Sequence, residues 1–256
     1  MTSMLDVTVA DAVGTIVIDR PPANAVNPAM IEKFLEVVPA LAGDPAVRCI
    51  VITGTGRFFV AGADIAVMRD LSLHNHISMR RWIEVQRLLE LAPKPVIAAI
   101  NGYALGGGAE LSLACDLRIA AASATIGFPE VRLGLFPGAG GSQRLPRLLG
   151  SHKAKLLMID GKRLTAQAAL EIGLVDEVVP DADFAEAVRR RALDWATRPT
   201  TTIGLLKRSI DEAADKPIDE ALGVEWAAVQ QVIATEDAAE GLQAFLDSRP
   251  PVFTGR

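Results

Sequence analysis

Histidine, cysteine and tyrosine are scarce in this chain: three, two and one respectively among 256 residues. His74, His76 and His152 stand in polar stretches, and the pair His74 and His76 has no third ligand nearby, so a loop or surface role is expected and no metal centre. Cys49 and Cys115 lie in apolar runs without metal-like spacing and read as buried structural thiols. So few thiols suit a reducing compartment. Positive charge is not in excess: 26 Lys and Arg stand against 31 Asp and Glu, for a net charge of −5 and a pI near 5.3. That balance argues against nucleic acid as a partner. Long apolar runs are missing as well. The uncharged run from Pro95 to Ala109 is shorter than the roughly 17–25 residues a membrane helix needs, and glycines interrupt it. The first residues lead straight into a strand pattern without a basic or Arg/Ser-rich presequence, so a cytoplasmic protein with no membrane association is expected. No glycine motif of the dinucleotide or P-loop kind opens a helix, and neither a G-x-S-x-G elbow nor an H-E-x-x-H helix is present.

What remains is an apolar-rich chain, 50% hydrophobic and 22% charged. At this length roughly 70–75% of the unfolded surface can be buried without disulfides or metals. Leu5, Val7 and Val9 alternate as in a half-buried strand, and Val13–Ile18 is its partner across a turn near Asp11-Ala12. Asn27 caps a helix that begins at Pro28 and turns Ile31, Phe34, Val38 and Leu41 to one face. Cys49–Thr53 reads as a buried strand, followed by a glycine-rich loop from Gly54 to Asp64. An irregular region runs to about Ser78, and a helix with Trp82, Val85, Leu89 and Ala92 on one face ends at Pro93 and Pro95. After Pro146, Gly150 closes one helix and Ser151 caps the next, Thr165 caps Ala166–Ile172, and Val175–Val179 is a last strand. Helices over 184–196, 202–214 and 237–246 follow, with another placing Leu222, Trp226, Val229 and Ile233 on one face. Strands alternating with helices indicate an α/β fold. Residues 1–197 form the expected core and residues 198–256 a C-terminal helical region.

The densest chemistry lies between Pro95 and Pro146. An apolar strand, Val96–Ile100, ends at Asn101-Gly102. The triple glycine Gly106-Gly107-Gly108 opens a helix carrying Glu110. Glu130 follows Phe128-Pro129, and a second cluster, Gly138 to Gly141, opens another helix. A lone triple glycine is more often a packing turn than a site, and a lone acid is more often solvated or ion-paired. A helix start also offers unpaired N–H groups and partial positive charge, which suit a carbonyl oxygen gaining charge during reaction. Two acids among apolar neighbours, each beside a glycine-rich helix start, favour general acid–base work.

The chain resembles the crotonase (enoyl-CoA hydratase/isomerase) family. The resemblance lies in Asp19–Ala25, Ala61–Ile65, Ile100–Glu110, Phe128–Gly134, Phe136–Pro146 and Ala234–Gly241 with Ala244–Leu246, in the family's order and over nearly the whole chain. It implies a spiral of ββα units with a C-terminal helical trimerisation region, assembled as a homotrimer or dimer of trimers. It implies an oxyanion hole from the backbone N–H groups of Ala63 and Gly107, and backbone contacts to the adenine end of coenzyme A through Ala61 and the loop Ala63, Asp64, Ile65. Glu110 and Glu130 match the two glutamates of hydratases, and the Gly138 N–H would help position water or a glutamate. No cofactor is implied, since coenzyme A is part of the acyl-CoA thioester substrate.

The expected reaction is reversible addition of water across the C2–C3 double bond of a 2-enoyl-CoA, as in fatty-acid β-oxidation, with Glu110 activating water and Glu130 protonating C2. A Δ3,Δ2-enoyl-CoA isomerase needs only one shuttling acid, at the Glu130-like position, and is the alternative, with other family lyases or hydrolases behind it. A non-catalytic or RNA-binding relative is disfavoured by the acidic pI and the two acids. Ala66 and Ser248 stand where many and some members, respectively, have lysines near coenzyme A, so Lys207 or another base would have to serve the phosphates. The acyl pocket is expected from Met68–Trp82 and Leu133–Phe136.

Overall fold

The computed structural model describes residues 4–70 and 72–256, and only the backbone at 73, 74 and 76. Strands β1 (Leu5–Ala10) and β2 (Val13–Ile18) form an antiparallel hairpin with Ala10 opposite Val13. The two turn residues, Asp11 and Ala12, take φ +52° and +61°, the primed-turn geometry whose twist suits a two-residue connection. The half-buried pattern expected for β1 holds only at Leu5, because this strand is the sheet edge and leaves Val7 and Val9 exposed. Helix α1 (Pro28–Gly43) begins as its sequence dictates: Asn27 Oδ1 accepts the Met30 N–H at 2.9 Å, and Ile31, Phe34, Val38 and Leu41 are buried.

A repeating unit then builds two sheets. Strand β3 (Cys49–Gly54) passes to the short β4 (Phe58–Val60), then to α2 (Ile65–Met68) and α3 (Leu73–Glu90). Strand β5 (Val96–Ile100) passes to β6 (Tyr103–Leu105) and α4 (Gly107–Leu113). Strand β7 (Leu117–Ala121) passes to β8 (Thr125–Gly127), followed by the 3₁₀ turn Glu130–Leu133. Next come α5 (Gly141–Leu149), α6 (Ser151–Ile159), β9 (Arg163–Thr165), α7 (Ala166–Glu171), β10 (Glu177–Val179) and α8 (Phe184–Ala196). The larger sheet is ordered β1-β2-β3-β5-β7-β10 and is parallel beyond the first hairpin, while the smaller is β4-β6-β8-β9. Each ββ step therefore hands the chain from one sheet to the other.

The crossing points explain the asparagines and glycines there. Asn101 Oδ1 accepts the Gly54 N–H at 3.0 Å, and its amide donates to Gly56 O at 3.1 Å. A β-carbon on Gly102 would collide with Arg57 O. Strand β4 falls inside the expected Gly54–Asp64 loop, and β6 and β9 are likewise extra strands. Three residues carry no readable period, and these strands exist through long-range pairing.

Helix α3 starts at Leu73, not near Ser78. Ser72 Oγ accepts the Asn75 N–H, and the Asn75 amide donates to Val67 O at 2.9 Å and Asp70 O at 2.8 Å. Ser151 does not cap α6; Gly150, at φ +81°, both ends α5 and precedes α6. Thr165 does cap α7, accepting the Ala168 N–H at 3.2 Å. Helices α9 (Thr200–Ala213), α10 (Ile218–Val232) and α11 (Glu236–Leu246) complete the chain. The apolar face of α10 is exposed, with Leu222, Trp226 and Ile233 among its residues. Cys49 and Cys115 are buried, and burial pushes both thiols up to about 12. Among the described residues, no helix is long and apolar enough to cross a membrane.

Candidate active site

Two backbone segments meet at the start of α4. Gly106 ends β6 at φ +52° and ψ −120°, a conformation open to glycine and strained for other residues. The chain then enters the helix at Gly107. A β-carbon built on Gly107 would lie 3.7 Å from the Ala63 N and 3.4 Å from Trp82 Nε1. The Ala63 loop is fixed against Val26: the Val26 N–H donates to Gly62 O and the Asp64 N–H to Val26 O, each at 2.8 Å. Gly62 sits at φ +105°, and a β-carbon there would meet Leu105 O at 3.0 Å. Side-chain-free backbone thus lets the amides of Ala63 and Gly107 approach one another. Trp82 Nε1 donates to Gly107 O at 3.1 Å and ties α3 to this first turn.

Glu110 lies one turn further along α4, only 2% exposed. Its Oε1 accepts the N–H groups of Ala139 and Gly141, both at 2.8 Å. Gly140 between them has φ +109°, which turns its two neighbours' amides to the same oxygen. Burial raises the Glu110 pKa, while the Gly141 and Ala139 amides and the charge of Arg144 pull the other way. Glu130 opens its 3₁₀ turn after Pro129, with Oε1 over Gly106. Its Oε2 is buried and has no hydrogen-bond partner among the described residues. Burial pushes Glu130 up to about 7, with its own backbone amide opposing and the Glu110 charge adding to the rise. Burial raises both carboxyls, the two amides favour the charged form of Glu110, and the two acids titrate as a pair.

Glu110, Glu130, Ala63 and Gly107 meet at one cleft of about 370 Å³. Ala61, Ala63, Ile65, Gly107, Glu110, Glu130 and Gly138 all line it, together with Met68, Trp82, Leu133 and Phe136 from the expected acyl pocket. Asp64 is not among the lining residues. Its carboxylate accepts the Ala66 N–H at 3.0 Å and pairs with Arg20 at 2.7 Å, and the Arg20 hydrogen bond holds its pKa below the usual range. Lys207 is elsewhere, paired with Asp116 at 2.7 Å and donating to Lys94 O, so it is not placed to serve phosphates in this cleft. His152 is exposed on α6, and the side chains of His74 and His76 lie outside the described residues.

Sequence reasoning missed Val26, Gly62, Ile83, Pro129 and Ala139 as lining residues, while Arg80 falls within the expected Met68–Trp82 stretch. It also placed Trp82 only in a core stripe and at the edge of the acyl pocket. A buried tryptophan needs a partner for its N–H, and that requirement was the available signal for its link to Gly107.

Two sheets exchanged strand by strand through ββα units, with a cleft between the amides of Ala63 and Gly107 and two carboxyls, define the crotonase class of fold. The Enoyl-CoA hydratase/isomerase family model matches residues 8–256, and the chain belongs to that family. It is 41% identical to the crotonyl-CoA hydratase of Syntrophomonas wolfei over 252 residues, covering 96% of each chain. It is 39% identical to the short-chain-enoyl-CoA hydratase of Clostridium acetobutylicum, covering 93% of this chain and 92% of that one. The crystal structure of an enoyl-CoA hydratase from Bacillus anthracis superposes with a TM-score of 0.95 at 38% identity, over 99% of this chain and all of that one (100%).

Proposed function

We propose that the protein is an enoyl-CoA hydratase that adds water across the C2–C3 double bond of a 2-enoyl-CoA. One observation carries the reading: Glu110 and Glu130 line the same cleft as the amides of Ala63 and Gly107. The thioester oxygen is held by those two N–H groups, which take up the enolate charge as water attacks; losing one such donor typically costs about 2.7–4 kcal/mol. Glu110, ionised and aimed by two amides, accepts the proton of the attacking water. Glu130 keeps its proton near neutral pH and delivers it to C2. The Gly138 N–H helps position the water. Coenzyme A contacts come from Ala61, Ala63 and Ile65, with Asp64 shaping the loop through Arg20 and its helix cap. No further cofactor is required, because the thioester itself supplies the electron sink.

Isomerisation needs one acid, and the second, amide-held carboxylate at Glu110 favours hydration over it. The relatives' names, crotonyl-CoA hydratase and short-chain-enoyl-CoA hydratase, support the same choice. The exposed apolar side chains of α10 and α11, among them Trp226 and Phe245, support assembly as a homotrimer or a dimer of trimers; a monomeric mass at micromolar concentration would contradict that. The reaction is tested by incubating the protein with crotonyl-CoA and with a 3-enoyl-CoA and weighing the products. Hydration gives a thioester heavier by one water. Conversion of the 3-enoyl compound to an isomer of unchanged mass, without hydration of crotonyl-CoA, overturns the reading.

A further inference from the structure

Behind Glu110, away from the cleft, lies a polar cluster with no part in the chemistry above. Arg144 from α5 forms a two-pronged ion pair with Glu90 at the end of α3, Nε to Oε1 and Nη2 to Oε2, the second at 3.0 Å. Arg144 Nη1 also donates to Gln86 Oε1 at 2.9 Å and to Ala139 O at 3.4 Å. Gln86 is fully buried, and the Arg144 and Glu90 side chains are mostly so. The guanidinium lies directly against Gly140: a β-carbon there would overlap Nη1. The same side chain thus touches the carbonyl of Ala139 and the flank of Gly140, in the three-residue turn whose two amides hold Glu110 Oε1.

We propose that Arg144, locked by Glu90 and Gln86, is a positioning residue for Glu110. It fixes the Ala139–Gly141 turn so that both amides stay aimed at one carboxylate oxygen, and it places a positive charge behind that carboxylate. The role of Glu110 rests on the hydratase reading; the geometry of the clamp does not. A solvated or surface ion pair would contribute little. This pair instead spans two helices, is mostly removed from water, and is bidentate, which fixes direction as well as distance. Burial opposes ionisation of Glu90, yet the hydrogen bonds and charges of Arg144 and Arg87 hold its pKa below the usual range, so the pair is charged at neutral pH. The charge acting directly on Glu110 is Arg144 from α5; Glu90 behind it on α3 is also paired with Arg87, and Glu130 and Arg80 line the same cleft, while Trp82, Gln86 and the Pro137–Gly141 turn bring no charge. Loss of the Arg144 charge therefore removes the cation that acts directly on Glu110.

The test compares wild type with Arg144→Met and Arg144→Lys. It reads kcat and KM for crotonyl-CoA against pH, and the titration of the Glu110 carboxyl by carbon-13 NMR, assigned with Glu110→Gln. Arg144→Met is expected to raise the Glu110 midpoint and to lower kcat by roughly 10- to 100-fold with KM little changed, as for a misaimed reacting group. Arg144→Lys keeps the charge and loses the fork, so its midpoint stays near wild type while kcat recovers only in part. An unchanged Glu110 midpoint in Arg144→Met, or a loss confined to KM, overturns the proposal. Should Arg144→Met fail to fold, Arg144→Lys decides: wild-type kcat in that variant removes the positioning role. A wild type that does not hydrate crotonyl-CoA counts against the hydratase reading alone, and the carboxyl titration still decides the clamp.

Discussion

Oε1 of Glu130 lies where a side chain on Gly106 would begin: a β-carbon there would sit 2.8 Å from that oxygen. The glycine at the end of β6 thus clears space for the carboxyl beside the Gly107 amide. Gly106→Ala should displace Glu130 and strain a backbone at φ +52°. Such strain costs about 1–3 kcal/mol. The expected outcome is a lower denaturant midpoint together with at least a tenfold loss of kcat (~10-fold), read by urea titration and steady-state kinetics on the same preparation.

Glu130 must carry its proton to act as the acid, and burial sets its pKa at about 7. Hydration measured as kcat/KM should therefore fall as pH rises through about 7. In Glu130→Gln the residual rate should lose that limb. A wild-type profile flat from pH 6 to pH 9 (about three units wide) would remove Glu130 from the acid role.

The same pKa has a stability consequence of opposite benefit. The folded carboxyl binds a proton up to about pH 7, while an unfolded glutamate releases it near its ordinary value of 4.5. Between those two values the folded state holds more protons, so stability falls as pH rises through the window and then levels. Glu130→Gln carries no charge to bury. It should melt above wild type at pH 8 by the equivalent of ~1–2 kcal/mol, after allowing for partial solvent screening, and show no such gain near pH 4.

Trp82→Phe keeps an aromatic ring against Phe34, whose centroid is 5.3 Å away in a T-shaped contact. It removes the N–H held by Gly107 O. A modest stability loss of about 1 kcal/mol is expected, with a larger effect on kcat than on KM because the first turn of α4 loosens. Unchanged kinetics would show that the amide of Gly107 is fixed without this bond.

Much of this arrangement was legible in the chain. Asn27, Pro28 and the Ile31–Leu41 stripe encode α1 locally, and α8 spans Phe184–Ala196 as its pattern indicates. Glu110 and Glu130 stand out because each adjoins a glycine-rich turn. The second sheet was not legible, because β4, β6 and β9 are three residues each and owe their form to partners far along the chain. The motif marks Asp64 for a backbone contact, and gives no sign that its carboxylate is engaged by Arg20, 44 positions away. Glu90 and Arg144, 54 positions apart, carry no signal until the fold joins them.

The most direct test of the two-acid account is the rate of water addition to crotonyl-CoA by Glu110→Gln and by Glu130→Gln, each shown to be folded. General acid–base groups contribute about 10²–10⁴-fold, so each substitution should lower kcat by that order. Near-wild-type hydration by either variant would contradict the account.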